Sequence, residues 1–129
     1  MRNIKPSLWV AIILTIFTCI IIGQSCATTS FETDAYRTIA ISKTAYDIVL
    51  TGMGALYKEG KISEDVKDKA IELGRIYKTA HNEAAEALAL YVETGNENHQ
   101  QRYLILVAIT ASALVKLVTY CQPYLEVDK

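Results

Sequence analysis

Thiols and imidazoles are the side chains of this sequence that could carry out specific covalent or metal chemistry. The cysteines are Cys19, Cys26 and Cys121, and the histidines are His81 and His99. On a helix, His81 would face only alanines one turn further along, and the chain has no HExxH, ExxH or CxxC motif and no glycine-rich phosphate loop. We therefore predict no metal, no cofactor and no nucleophile–base pair, and we expect a protein that is not an enzyme.

The charge balance excludes a nucleic-acid partner. The chain of 129 residues has a formal net charge of −1, and no basic cluster provides a footprint for phosphates. Its only prolines are Pro6 and Pro123, one near each end. Because proline breaks helices, a long stretch without it favours long helices between these two positions.

The first residues have the order of an export signal. Arg2 and Lys5 are followed by an uncharged apolar run from 7 to 23 and then by small and polar residues. The run of 17 residues is at the lower limit for a spanning helix, which needs about 17–25. Length alone therefore leaves both a cleaved signal peptide and a retained anchor helix open.

The residues around Cys26 point to cleavage with lipidation. Ile22, Gly23, Gln24 and Ser25 precede this cysteine, and Ser25 is the small residue next to the cut. This segment resembles the lipobox of bacterial lipoproteins. The resemblance covers about the first 27 residues and implies that the Cys26 thiol carries a diacylglycerol, that residues 1–25 are removed and that the new N-terminus is often acylated too.

The same resemblance gives an expected location. The residue after the cysteine is Ala27 and not the aspartate that favours retention in the inner membrane. We expect a lipid anchor in the outer membrane, with the protein facing the periplasm. The alternative is attachment to the inner membrane by an uncleaved helix. Cys19 is the poorer acceptor, because no small residue stands beside it.

The rest of the chain has the four-three spacing of apolar residues that is typical of amphipathic helices. Three helices are predicted, at about 32–58, 64–93 and 99–121. The predicted stripe residues are Ala35, Ile39, Ser42, Tyr46, Val49, Met53 and Leu56 in the first helix, Val66, Ala70, Leu73, Tyr77, Ala80, Ala84, Ala87 and Tyr91 in the second, and Tyr103, Val107, Thr110, Leu114, Leu117, Cys121 and Tyr124 in the third.

Short connections make neighbouring helices antiparallel, so we predict an all-α, up-down-up three-helix bundle after the signal or anchor helix. Its parts are a tether at 26–31, the bundle at 32–124 and a tail at 125–129. Local signals mark the helix ends. These signals are a capping box at Thr29 and Glu32, Gly60 after the first helix, Ser63 before the second, Gly95 after it, a capping box at Asn98 and Gln101, and Pro123 as the stop of the third.

Smaller expectations concern single side chains. Gly52 and Gly54 either admit a close neighbour or mark a kink, and we favour the close neighbour. Cys121 is expected to be a small apolar residue on a helix face. We expect His81 on the polar face and the stripe tyrosines at the edge of the core, with their hydroxyls reaching water.

The third helix is apolar on nearly every side. Leu104, Ile105, Val115 and Val118 lie off its core stripe. They could be covered by a second copy, by a bilayer, or by the other helices and the tails. Only 13 residues separate Arg102 from Lys116, which is short for a membrane span. We favour a core helix with a self-association surface at these four residues.

The sequence thus predicts a membrane-anchored envelope lipoprotein with a binding or structural role, which associates with itself or scaffolds another envelope protein. Two alternatives stay open. One is a single-span anchored protein whose third helix touches the bilayer, and the other is a carrier of a small apolar ligand between the helices.

Overall fold

The computed structural model describes residues 30–126, and this part of the chain is helical almost throughout. It contains α1 (Phe31–Lys58), α2 (Glu64–Thr94) and α3 (Glu97–Glu126). The connections are short, so consecutive helices are antiparallel and α1 and α3 run in the same direction. The all-α three-helix bundle is therefore confirmed. The predicted signal or anchor segment, the lipobox and Thr29 lie outside the described residues.

Three of the predicted helix ends are confirmed by their backbone geometry. Ser63 is the N-cap of α2, and its hydroxyl accepts a hydrogen bond from the amide of Val66 at 3.4 Å. Gly60 and Gly95 both have a left-handed conformation, with φ of 72° and 65°. The Gly95 amide donates to the Tyr91 carbonyl at 2.7 Å, which closes the last turn of α2.

Both predicted signals at the ends of α3 are wrong. The helix begins at Glu97, and the side chain of Asn96 accepts from the amide of Asn98 at 2.9 Å, so the cap is two residues earlier than expected. At the other end α3 continues through Pro123 to Glu126. Proline removes one helical N–H there, and the packing of Leu125 against the core supports the extra turn.

The core is formed where the predicted stripes of the three helices meet. The larger cluster lies toward the α1–α2 connection, and the smaller one connects α2 with α3 nearer the middle of the bundle. The buried members of the larger cluster are Val49, Met53, Leu56, Ile62, Ala70, Leu117 and Cys121. The buried members of the smaller cluster are Tyr77, Ala113 and Leu114. Burial of Cys121 confirms its expected role.

Two glycines allow helices to approach closely. A Cβ built on Gly52 would lie 2.8 Å from Cδ2 of Leu125, which confirms the close neighbour expected at this position. A Cβ on Gly54 would have no neighbour within 4 Å, so the same expectation is wrong there. Gly74, which the sequence analysis did not single out, is buried, and a Cβ there would lie 3.1 Å from Cδ1 of Leu50. Side chains of α3 and α1 therefore occupy the space that a larger residue in place of Gly52 or Gly74 would need.

Candidate interaction surface

The outward side of α3 exposes four large aliphatic side chains. The exposed fractions are 42% for Leu104, 63% for Ile105, 50% for Ile109 and 61% for Val115. Single exposed apolar residues are ordinary, but a group of them along one helix marks a surface for contact. Leu104, Ile105 and Val115 were among the predicted self-association residues, whereas Ile109, which follows Ile105 by one turn, was not predicted.

Val118 is placed differently from the other three predicted residues. Its side chain is half-buried and packs against both core clusters. The surface that the structure brings together therefore consists of Leu104, Ile105, Ile109 and Val115, with the small residues Ala108 and Ser112 exposed between them. We call these six residues the α3 face.

Four-three spacing explains why α3 has apolar residues on two sides. Its inward stripe runs through Tyr103, Thr110, Leu114, Leu117 and Cys121, all buried. A second stripe with the same spacing lies on the opposite side and is exposed from end to end. The members of this outward stripe are Gln101, Ile105, Ala108, Ser112, Val115 and Thr119. None of them is charged.

Charges limit the length of this surface. Arg102 and Lys116 enclose 13 uncharged residues, which correspond to about 20 Å of helix. By length and composition α3 could cross a membrane, although 33% of its most apolar window is already buried in the bundle. A hydrocarbon core about 30 Å thick is longer than the uncharged segment.

An open groove between α2 and α3 borders the α3 face. Its volume is about 420 Å³. Ile76 of α2 and Ile109 of α3 contribute exposed aliphatic surface to it, while Arg75 and Glu83 also line it. Because Ile109 belongs to both features, the groove and the α3 face form one continuous surface. Because the groove is open to solvent, it is less suited to an apolar ligand than an enclosed cavity would be.

Polar contacts hold the first half of α1 against the other two helices. The Tyr77 and Ser42 hydroxyls lie 2.7 Å apart, and the Tyr103 hydroxyl donates to the carbonyl of Ala35 at 3.3 Å. Both tyrosines are buried, and their hydroxyls bind α1, so the expectation that they reach water is wrong for these two. Each hydroxyl gains a partner that a buried polar group needs.

His81 also belongs to this interface, and its expected place on the polar face is wrong. Its ring is half-buried, with Nε2 3.4 Å from the carbonyl oxygen of Ile39. The ring of Tyr77 lies 5.5 Å away between centroids, and Tyr77 in turn stacks on Tyr46 at 4.7 Å. The alanines one turn along from His81 could not reveal that α1 crosses beside it.

Burial also sets the ionisation of the interior groups. It raises the pKa of the Tyr103 hydroxyl to about 12 and the pKa of the Cys121 thiol to about 11. Burial likewise raises the pKa of Tyr77, and the hydrogen bond with Ser42 opposes part of that rise. The Cys121 thiol is therefore protonated near neutral pH and is a poor nucleophile.

Side chains that could ligate a metal do not cluster within residues 30–126. In this range no three His, Cys, Asp or Glu side chains are close enough to hold a metal ion. The lipidation residue Cys26 and the lipobox residues Ile22, Gly23, Gln24 and Ser25 lie outside the described part of the chain. The candidate site within the described residues is the exposed aliphatic surface of α3.

Comparisons with family models, with curated proteins and with solved structures find no match for this chain.

Proposed function

We propose that this chain is a lipid-anchored protein of the cell envelope that acts by binding and not by catalysis. The observation that carries the proposal is the order of the first 27 residues: two positive charges, an uncharged run from 7 to 23, and a small residue before Cys26. A diacylglycerol plus an acyl chain on Cys26 would give stable attachment, since each buried methylene contributes about 0.8 kcal/mol and stable anchoring takes more than one chain.

The fold supports a binding role for such an anchored protein. Helix α1 begins at Phe31, so only four residues separate it from Cys26. The bundle would therefore begin close to the membrane surface and would carry the α3 face outside the cytoplasm. An exposed aliphatic surface of this extent suits association with another protein better than it suits open water.

The test is fatty-acid labelling of the full-length protein in bacterial cells. We compare the natural chain with Cys26→Ser and with Cys19→Ser, which removes the neighbouring thiol as a matched control. Label is expected in the natural chain and in Cys19→Ser and should be absent from Cys26→Ser. Label that persists in Cys26→Ser, or a natural protein whose intact mass is that of an unmodified chain from Met1, would end the proposal.

A second candidate function is supported by the apolar composition of α3. This helix passes a length and composition test for a membrane span, and a bilayer could cover the α3 face of a protein that an uncleaved N-terminal helix holds. A thiol reagent confined to the lipid phase separates the two candidates. It would modify Ile105→Cys in the second case and leave it unmodified if a protein covers the face.

A further inference from the structure

We propose that residues 32–44 of α1 form a strap that opens from α2 and α3 as one unit while the rest of the bundle stays folded. Opening uncovers the side chains of Tyr77 and Tyr103, which are 1% and 3% exposed in the closed bundle. The inference goes beyond the proposed function, and it depends neither on a lipid at Cys26 nor on a partner for the α3 face.

The strap buries little apolar surface. Between positions 32 and 48 of α1 the buried residue is Ala35, whereas the second half of the helix buries Val49, Met53 and Leu56. Tyr36 and Ile41, which belong to the strap, are 50% and 44% exposed. Because apolar burial is the main favourable term in folding, opening the strap costs less free energy than opening the second half of α1.

Polar contacts, one turn apart, hold the strap in place. They are the bond from the Tyr103 hydroxyl to the Ala35 carbonyl at 3.3 Å, the approach of Nε2 of His81 to the Ile39 carbonyl at 3.4 Å, and the pair of hydroxyls of Tyr77 and Ser42 at 2.7 Å. Positions 35, 39 and 42 have the spacing of a single helix face, so one outward movement breaks all three contacts. Water replaces each lost partner, and each contact therefore stabilises the closed state only modestly.

The structure beneath the strap has packing of its own. Cα atoms of α2 and α3 lie within 8 Å of each other, and α2 has buried alanines at Ala80, Ala84 and Ala87. The second half of α1 shares the larger core cluster with Leu117 and Cys121 of α3. In contrast, a helical segment of 13 residues without tertiary contacts is marginal in water. Opening therefore exposes the amides of the strap while those of the remaining bundle stay protected.

Hydrogen exchange of the full-length protein in dodecyl maltoside micelles tests the opening. Mass spectrometry of peptic peptides compares the strap with residues 50–57 in the second half of α1. Tyr103→Phe removes the contact at position 35, and Tyr77→Phe removes the contact at position 42. Tyr36→Phe is the matched control, because it removes the same kind of hydroxyl from a half-exposed side chain of the strap. Circular dichroism checks that each variant keeps its helix content.

In the natural chain we expect the strap to exchange at least about a hundredfold faster than residues 50–57. Tyr103→Phe and Tyr77→Phe should each accelerate exchange along the whole strap by roughly two- to tenfold, which corresponds to one net hydrogen bond. Neither variant should change the ratio of the exchange rates of residues 50–57 and of α2, and Tyr36→Phe should leave every rate as in the natural chain.

Three results would overturn the proposal. Equal protection of the strap and of residues 50–57 would mean that α1 opens only with the whole bundle. Exchange of the strap at the rate of an unfolded peptide would mean that it does not close. Acceleration confined to the turn around Ala35 in Tyr103→Phe, and to the turn around Ser42 in Tyr77→Phe, would mean that the contacts break one by one and that the strap is not a unit.

Discussion

The hydrogen bond between Tyr77 and Ser42 allows a quantitative test of how α1 is held. The Tyr77 side chain is 1% exposed, and its hydroxyl lies 2.7 Å from that of Ser42, which is half-buried on α1. Tyr77→Phe removes the hydroxyl and keeps the stacking on Tyr46. A hydrogen bond of this kind contributes about 0.5–1.5 kcal/mol net. We expect Tyr77→Phe to cost about 1 kcal/mol, because the released Ser42 hydroxyl can turn toward water.

Ser42→Ala removes the same hydrogen bond, and we expect this loss to lower the free energy of unfolding by more than Tyr77→Phe does. It leaves the buried Tyr77 hydroxyl without this partner, which costs about 1–3 kcal/mol. Part of that loss is hidden, because alanine is the better helix former by roughly half a kcal/mol. This propensity gain is the same with or without the tyrosine hydroxyl, so it cancels in a double-mutant cycle.

The assay is urea unfolding of a fragment that begins at Ser30, followed by circular dichroism, for the parent, both single variants and the double variant. We expect the double variant to lose less stability than the sum of the single variants, by about 1 kcal/mol. For a domain of this size that corresponds to about 4–8 °C in Tm. Additive losses, with a coupling energy near zero, would mean that the two hydroxyls do not bind each other and would refute this account of the interface.

Two further predictions concern the interior of the bundle. Burial raises the pKa of Tyr103 to about 12 in the folded protein, from 10.0 ordinarily. The protonated hydroxyl therefore contributes its full share to the free energy of unfolding below pH 10, and this contribution is lost as the pH rises toward 12. Urea unfolding across this range should show the decline, and Tyr103→Phe should reduce it while the exposed Tyr36→Phe leaves it unchanged; equal slopes in all three proteins would contradict the prediction. Leu117→Ala, at a fully buried site, should cost about 2–5 kcal/mol in the same assay, and the exposed Ile48→Ala should stay within about 0.5 kcal/mol of the parent. A loss for Leu117→Ala as small as that of its control would mean that α3 does not pack as described.

Local signals predicted the helices well where the backbone itself determines the outcome. Ser63 and Gly95 act within one turn of their own position, so their roles could be predicted from neighbouring residues. Pro123 was misjudged because its local cost is outweighed by a contact distant in sequence, that of Leu125 with the region of Gly52. A helix boundary depends on tertiary packing whenever such a contact is available.

The candidate surface shows the same division between local and tertiary information. The sequence identified Leu104, Ile105 and Val115 as lying off the core stripe, because their position on α3 depends only on helical periodicity. The burial of Val118 could not be predicted in this way, since it depends on where α1 and α2 lie beside α3. The contact between His81 and Ile39 was missed for that reason too, because 42 positions separate the two residues.

The two halves of α1 are held by different forces. Its second half buries Val49, Met53 and Leu56, whereas Ala35 is the one fully buried residue of α1 before Val49. Burial of a large aliphatic side chain contributes about 1.5–3 kcal/mol, and alanine contributes much less. The first half therefore depends more on polar contacts, which include the bond from Tyr103 to Ala35.

Polar contacts of this kind determine the register of a helix as well as its stability. Alanine surfaces such as Ala80, Ala84 and Ala87 on α2 are smooth, and a helix could slide along them at little cost. The hydrogen bond between Tyr77 and Ser42 and the one from Tyr103 to Ala35 can form in one axial position of α1 only. They thereby fix the axial position of α3 relative to the beginning of α1, which four residues separate from Cys26.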